Sequence, residues 1–430
     1  MKFKIITLGC KVNQYESESI AATLKESGIR RAEKDESADI VIVNSCTVTA
    51  ASDQKVRQCL RREKKENPNA AMVLTGCMAQ AFPEKSEELP EADVILGTAN
   101  RARLLPHVLS FLGNRQRIVD ISPHQAGEKF EPMKIDEFAD RTRAYIKIQD
   151  GCNRFCSYCI IPFARGRVRS KPLRELQDEV QSLADNGYRE VVLTGINLSA
   201  YGQDLGLELC DAVEAACAVP NISRVRLGSL EPEQLTPPVI ARMAKEEKLC
   251  PQFHLSLQSG CDETLKRMNR HYTATEYQKI VADLRLAFPG AAITTDIMVG
   301  FCGETEGEFE ASLRFAETIA FAQTHVFAYS RRPSTKAYDL PDQISNHVKE
   351  ERSKKMIAVS RKAQYAFCNA QVGKIEEVLF EQRLDGELYE GHTRNYVTVA
   401  APSDKNLHGQ LLSVTITAAD RGLCRGYLTK

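Results

Sequence analysis

Apolar and polar positions alternate along this chain in two registers. Residues 4–8, 39–43, 72–74 and 94–96 are short apolar runs, of which ADIVIVNSC is the clearest. Between them, residues 15–27 and 52–66 space their apolar positions as amphipathic helices do. Continuous apolar strands separated by such helices predict an α/β fold that begins with a doubly wound parallel sheet, covered on both faces. Residues 111–142 lose this periodicity and include Gly113, Pro123, Gly127 and Pro132, so a linker is expected there, with one strand near 117–121. Six β-rich segments follow, at 144–149, 190–193, 224–227, 252–258, 292–299 and 324–329. Helical patterns at 173–186, 207–218, 238–247, 275–288 and 306–319 separate them. Such a succession predicts right-handed crossovers and an open or closed parallel barrel, whose ligands sit at the C-terminal ends of the strands. A long helical pattern at 346–369 leads into short β runs at 376–380, 396–399 and 412–417, the texture of a small β-barrel.

Composition narrows the class. The chain has 430 residues, 43% hydrophobic and 27% charged, enough for several domains with substantial cores. Its formal net charge is zero, so any basic surface for nucleic acid must be local. Fourteen cysteines behind an N-terminal apolar run too short for a signal segment point to a reducing, cytoplasmic compartment and to metal ligation rather than disulfides. No apolar stretch is long enough to span a bilayer, so no membrane partner is expected.

The cysteine spacing carries the chemistry. Cys152, Cys156 and Cys159 form a C-x3-C-x2-C array directly after the first barrel strand. One loop with that spacing can bind three corners of a four-iron cluster and leave one iron open for chemistry. A zinc knuckle would want a fourth ligand nearby; no histidine lies between His124 and His254, and the next cysteine after Cys159 is Cys210. Three further cysteines, Cys10, Cys46 and Cys77, each fall just past a predicted strand end. In a parallel sheet those ends share one edge, so the three thiols converge, either on a second cluster or as three small packing residues. Cys59 lies inside a helical pattern and reads as packing.

With an aromatic before its last cysteine, the array GCNRFCSYC resembles the radical S-adenosylmethionine (SAM) enzymes. The segments LGCKVNQYES, NSCTVTA and LTGCMAQ resemble the N-terminal domain of the methylthiotransferases within that superfamily. LGCKVN is the form associated with the branch that modifies threonylcarbamoyladenosine in tRNA; the branches acting on isopentenyladenosine tRNA and on a ribosomal protein usually read YGCQMN and LGCPKN. HLSLQSGCDETLKRMNR and DIMVGFCGETEGEF are also family-like, with Cys302 standing where proline is usual. GHTRNYVTV resembles the TRAM domain, an RNA-binding β-barrel.

The resemblance implies an N-terminal methylthiotransferase domain over 1–115, a partial (β/α)6 radical SAM barrel over 141–365 and a TRAM-like barrel over 368–430. It implies two 4Fe-4S clusters, one on Cys152, Cys156 and Cys159 and an auxiliary one on Cys10, Cys46 and Cys77. SAM would be contacted by Tyr158, Gly195, Ser229, Glu231 and Gln258. The implied reaction adds a methylthio group to carbon 2 of threonylcarbamoyladenosine, at position 37 in the tRNA anticodon loop. It calls for an electron donor and a sulfur donor as partners. The alternatives are the same chemistry on isopentenyladenosine tRNA or a ribosomal protein, and an RNA-binding iron-sulfur carrier without activity.

Residues 160–174 hold five basic residues and no acid immediately after the cluster loop. Arg165, Arg167 and Arg169 alternate, and in an extended segment they would project to one side and clamp tRNA phosphates. Arg331 and Arg332 could extend the same patch, and Arg394 and Tyr396 could pair or stack with RNA, a core role for Tyr396 being the equal alternative.

Overall fold

The computed structural model describes residues 1–33, 35–133, 135 and 142–429. The chain forms two compact units. The first comprises Met1–Ile135, Lys147–Lys171 and Ser330–Tyr338; the second comprises Asp136–Ile146, Pro172–Tyr329 and Asp339–Lys430.

The first unit is built on strands β1 (Lys2–Thr7), β2 (Arg30–Arg31), β3 (Ile40–Ser45), β4 (Ala71–Gly76), β5 (Val94–Leu96) and β6 (Ile118–Asp120). They pair in parallel in the order β2-β1-β3-β4-β5-β6. Because β3 and β4 are buried on both faces, alternate residues feed two cores. Ile40, Ile42, Ala71 and Val73 pack with Ile20, Leu24 and Val108 on one side. Val41, Val43, Met72 and Leu74 pack with Val56, Leu60 and Met78 on the other. Cys59 belongs to the second of these cores, as its helical position implied.

Of the stretch expected to be a linker, residues 111–133 and 135 are part of this unit. A helix, Leu104–Asn114, covers its start, and β6 lies where one strand was foreseen. The following residues are held by polar contacts: Arg101 pairs with Glu131 at 2.7 Å, Arg169 with Glu128 at 3.1 Å, and the Tyr15 hydroxyl donates to the Met133 carbonyl at 2.8 Å. Buried cations need anions, and this segment brings them; that requirement leaves no periodicity to read. Lys134 and residues 136–141 of the expected linker lie outside the described residues.

Strand β7 (Arg143–Asp150) ends at the cysteine loop, and its last two residues pair antiparallel with β8 (Arg169–Ser170). In the second unit β9 (Glu190–Gly195) and β10 (Arg224–Leu227) are parallel neighbours. β11 (Ser229–Leu230), β12 (Gln252–Leu255), β13 (Ala292–Val299) and β14 (Gln323–Ala328) form a parallel sheet in that order. Helices intervene as their periodicity predicted, and the strands stay in open sheets.

The C-terminal residues close a five-stranded barrel from β15 (Ile375–Arg383), β16 (Leu388–Thr393), β17 (Thr398–Pro402), β18 (Leu411–Asp420) and β19 (Leu423–Leu428). Tyr396 and Arg394 are half-buried and engaged within this unit. The Tyr396 ring stacks on His392 at 4.5 Å and lies 4.7 Å from the Arg226 guanidinium and 5.0 Å from that of Arg143. Arg394 donates to the carbonyls of Glu247 and Leu249.

Gly76 sits at the end of β4 with φ +97°, and a Cβ there would meet the Asn44 side chain and the Ser45 carbonyl at 2.6 Å. Pairing with Ser45 across the ladder leaves the backbone little room to move. Gly76→Ala is therefore expected to cost about 2 kcal/mol or more. Urea unfolding of the two proteins checks this; a loss below about 0.5 kcal/mol would show that the edge relaxes.

Candidate functional site

β1, β3 and β4 are adjacent, and each is followed at its C-terminal end by a cysteine of the first set. Cys10 precedes the helix Lys11–Glu26, Cys46 follows β3 directly, and Cys77 begins the helix Cys77–Ala81. The three are close enough that charge on Cys10 and Cys46 raises the pKa of Cys77. Gly9 touches Cys46 so closely that a Cβ would fall 2.9 Å from the cysteine Cβ. Asn13 ties the loops together. Its Nδ2 donates to the carbonyls of Ser45 at 2.9 Å and Leu8 at 3.1 Å, and its Oδ1 accepts from the Cys10 thiol at 3.4 Å. Cys77 is buried, Cys46 half-buried and Cys10 exposed. Burial pushes the Cys77 thiol up to about 12, against the pull of Arg165. Cys10 is reached by solvent yet crowded by protein, and that desolvation raises its thiol too. Three convergent soft donors at an accessible edge fit the three-cysteine side of an iron-sulfur cluster.

Arg165 lies beneath these thiols and not on the surface. The expectation of three arginines on one exposed side fails because residues 161–165 form a short helix and Gly166, at φ +68°, turns the chain. Arg165 thereby points inward with no exposure, Arg167 is exposed, and Arg169 is buried in β8. Arg165 Nε donates to Cys77 Sγ at 3.2 Å, and its Nη2 to Asn13 Oδ1 at 2.8 Å and Glu16 Oε2 at 3.0 Å. Its Nη1 also bonds Glu16. Glu16 further pairs with Arg101 at 2.7 Å and Lys147 at 2.9 Å, and Asp150 with Lys147 at 2.6 Å. Burial alone would raise the Glu16 carboxyl, but Arg101, Arg165 and Lys147 outweigh it and hold the pKa at about 2. Asp150 is likewise held well below the usual carboxylate range by Lys147, Arg165 and Arg169 despite its burial. Arg332 is also interior, donating to Thr47 Oγ1 at 2.8 Å and Asp53 Oδ2 at 2.6 Å beside Cys46, so it adds nothing to an exposed patch.

The second cysteine set lies in the same unit. Its loop is closed by the Cys152 amide donating to the Gly166 carbonyl at 3.0 Å and by Cys159 N–H donating to Cys156 O at 2.9 Å. Gly151 begins the loop at φ +74°, and a Cβ there would overlap the Arg167 carbonyl at 1.9 Å, so only glycine fits. Cys156 is buried, and Cys152, Tyr158 and Cys159 are half-buried. The Arg167 guanidinium covers the Phe155 ring at 4.9 Å.

Of the residues expected at SAM, Gly195, Ser229, Glu231 and Gln258 all stand at C-terminal ends of parallel strands in the second unit, while Tyr158 belongs to the first. Glu231 is engaged by Arg270 at 2.5 Å, and its N–H donates to the Ser199 hydroxyl at 2.8 Å. Gln258 has φ +69° and pairs by its backbone with Asp296 and Met298, both at 2.8 Å. Cys302 is buried, its sulfur accepting from Gln343 at 3.0 Å, as a packing residue would. The sequence reading missed a cluster on the same sheet, His254, Asp296 and His325, in which one nitrogen or oxygen of each lies within 4.8 Å of the others.

Residues 2–97 match the family model described as uncharacterized protein family UPF0004, and residues 146–316 match the radical SAM superfamily. The fold is shared with the cobalamin- and [4Fe-4S]-bound radical SAM methyltransferase TsrM from Kitasatospora setae, at TM-score 0.57 and 15% identity over 78% of this chain and 74% of that one. The fold and the cysteine edge thus define a radical SAM enzyme. The threonylcarbamoyladenosine tRNA methylthiotransferase MtaB of Bacillus subtilis is 36% identical over 421 residues, 96% of this chain and 93% of the relative. The tRNA-2-methylthio-N(6)-dimethylallyladenosine synthase of Pelotomaculum thermopropionicum is 35% identical over 439 residues, 100% of this chain and 98% of the relative. The chain belongs to the radical SAM methylthiotransferase family.

The Glu16 network gives the first unit a defined acid response. A carboxyl with pKa about 2 in the folded protein and 4.5 otherwise stabilises the fold fully above pH 4.5, and that stabilisation disappears as the pH falls through 2. Its size is roughly 3 kcal/mol. Circular dichroism of the cluster-free protein should show unfolding that steepens over this window. Glu16→Gln should be less stable at pH 7 and show a flatter acid response; an unchanged acid response would remove Glu16 from the network's energetics.

Proposed function

We propose that this enzyme adds a methylthio group to carbon 2 of N6-threonylcarbamoyladenosine at position 37 of tRNA. The observation that carries the reading is that one compact unit holds two complete sets of three cysteines, with a single short segment, residues 151–166, supplying one set and buttressing the other through Arg165. The near-full-length similarity to several MtaB proteins supports the threonylcarbamoyl substrate. Cys152, Cys156 and Cys159 would hold the cluster that binds SAM; Cys10, Cys46 and Cys77 would hold the auxiliary one. When bound, these groups supply the one-electron chemistry, the hydrogen abstraction at carbon 2 and the methylated sulfur.

The chain's own residues position and insulate. Arg165, bonded to Cys77, partly offsets the burial that raises its thiol, and so eases the formation of a thiolate ligand there. Gly151 and Gly166 close the loop so that Cys156 is screened from water while Cys152 and Cys159 stay half-exposed. Gly195, Ser229, Glu231 and Gln258 stand where a β/α fold receives its ligands, and Tyr158 stands beside the third thiol. Of the arginine trio, Arg167 is the exposed member and the remaining candidate for a tRNA phosphate. The domain boundaries at 1–115, 141–365 and 368–430 belong to the same reading, with the C-terminal barrel as RNA-binding module. An anticodon-loop base suits the reaction, because it can be splayed into a pocket without opening a duplex. Among the described residues no helix is long and apolar enough to cross a membrane. The reading calls for a cytoplasmic enzyme served by separate electron and sulfur donors.

Dimethylallyladenosine is the competing substrate, since its synthases match this chain as well as the MtaB proteins do. Mass spectrometry of tRNA nucleosides from a strain lacking the protein separates the two: loss of the methylthio group from threonylcarbamoyladenosine is expected, and loss from dimethylallyladenosine overturns the reading. In vitro, Ala at Cys10, Cys46 and Cys77 together should leave roughly four irons per chain and preserve reductive SAM cleavage while abolishing methylthio transfer. Disappearance of SAM cleavage with the other cluster intact would refute that division of labour.

A further inference from the structure

A cavity of about 440 Å3 opens beside the cysteine loop, within the first unit. Three segments wall it. Gln80 comes from the helix Cys77–Ala81, Pro123 and His124 from the stretch after β6, and Pro162, Phe163 and Arg167 from the stretch after Cys159. The walls are tied to one another by their own bonds. Gln80 Nε2 donates to the Ser122 carbonyl at 2.9 Å, and the Thr98 hydroxyl donates to the Ala164 carbonyl at 2.6 Å. His124 Nε2 lies 2.9 Å from that same hydroxyl, and its Nδ1 lies 2.7 Å from Glu128 Oε2. A Cβ on Gly166 would strike the His124 ring at 2.7 Å, so the second and third walls meet closely. Gln80 and His124 are therefore spent within the protein. What the cavity offers an occupant is shape, apolar surface and the charge of Arg167.

Phe163 is 47% exposed and Phe155 37% exposed. Their rings meet edge to face with centroids 6.2 Å apart, and the Arg167 guanidinium lies 4.9 Å from the Phe155 centroid. A single exposed apolar residue is ordinary. Two aromatic rings and a guanidinium gathered beside one cavity need an occupant to explain them. Among the described residues no carboxylate lines the cavity, whereas Arg167 does, so the occupant that suits it is flat, unsaturated and anionic at its edge. An unpaired nucleotide has that form, with a π-face for the ring and a phosphate for the guanidinium. Resting on the reading that the substrate is the anticodon loop of a tRNA, we propose that Phe163 is a positioning residue. An unpaired base flanking the target adenosine stacks on it, in this cavity, with the phosphate of that nucleotide on Arg167. The place fits the task, because the cavity borders both thiol sets. Gln80 stands three residues beyond Cys77, about 4.5 Å along the same helix, and Phe163 stands four residues beyond Cys159. A loop that delivers one base to these thiols carries its neighbours across the cavity, and a neighbour held there fixes where the target base reaches. The base is gripped by its face and not by its edge, so base identity matters little. The walls are bonded before RNA arrives, so little freedom is lost in forming the site.

The test uses the full-length reconstituted enzyme and anticodon stem-loop RNAs in which the nucleotide just 5′ or just 3′ of the threonylcarbamoyladenosine is intact or abasic. Phe163→Ala should weaken binding of the intact RNA roughly 5- to 100-fold, and Phe163→Tyr should bind as the wild type does, because stacking needs a ring but not one particular ring. Removing the base at one of the two positions should cost the wild-type protein a similar factor and cost Phe163→Ala nothing further, a coupling that a general loss of structure would not produce. Across a salt series Phe163→Ala should keep the wild-type slope, whereas Arg167→Gln should lower it by about one. Iron content and thermal melting show whether each variant is folded, and Phe163→Leu, which keeps the apolar bulk without the ring, replaces the Ala variant should that one melt early. Full affinity without the ring, or losses from the missing ring and the missing base that simply add, would overturn the stacking site and leave the proposed function standing. An unchanged salt slope in Arg167→Gln would take the phosphate away from Arg167 and overturn the nucleotide's place in the cavity. Wild-type protein that binds none of these RNAs overturns both readings.

Discussion

A guanidinium without solvent exposure has to find anions, and Arg165 finds them in segments far apart in sequence: Glu16 from the first helix, Asp150 from the end of β7, and the sulfur of Cys77. Removing one partner from such a buried group costs about 3–5 kcal/mol, because the charge left behind has no water to turn to. The two carboxylates are in turn shared with Arg101, Lys147 and Arg169, so each ion is compensated more than once. This arithmetic fixes where the cysteine loop must lie. Residues 151–166 cannot shift without carrying Arg165 off Glu16, and Glu16 cannot shift without disturbing Asn13, which holds the loops of Cys10 and Cys46. The geometry of both thiol sets within this unit therefore depends on one charge cluster.

That dependence explains which parts of the site were legible in the sequence. The convergence of Cys10, Cys46 and Cys77 was, because the ends of adjacent parallel strands share one edge. The parallel strands were, because burial on both faces writes itself as unbroken apolar runs. Arg165 and Arg169 were misread because the alternation argument assumes extended backbone; one helical turn at 161–165 and one glycine at 166 reverse which arginine faces water. Within 111–142 the irregular stretch and the strand at 118–120 were foreseen, but the packing of residues 121–133 into this unit was not. Its anchors are Glu128 and Glu131 pairing with buried arginines, and an isolated carboxylate leaves no periodic trace.

β16 and β19 were missed because LYEGHT and LCRGYL each carry a glycine and few β-branched residues, and only closure of the barrel gives them partners. Tyr396, by contrast, read equally as an RNA-stacking or a core residue on grounds of type alone. In the fold its ring is sandwiched against His392, Arg226 and Arg143, an arrangement worth more inside the protein than on a wet surface, since cation–π contacts strengthen as they are desolvated. Residue type names the chemistry a side chain can do, whereas burial decides which partner it does it with.

The His254–Asp296–His325 cluster lies at the far end of that scale. Its members are 42 and 29 positions apart in the chain; His254 and Asp296 head the family-like segments HLSLQSG and DIMVGF, but nothing local shows that they meet His325. They meet because β12, β13 and β14 run parallel in register, so that His254 opposes Thr294 and Asp296 opposes His325. A one-residue slip of β14 would send His325 to the helix-covered face. The sheet register that buries Thr295 beneath Tyr277 of the helix Ala274–Ala287 therefore also assembles the polar group on the other face. What β14 projects from its exposed face can change without any change in the face it buries, because the two sets of side chains alternate along the strand.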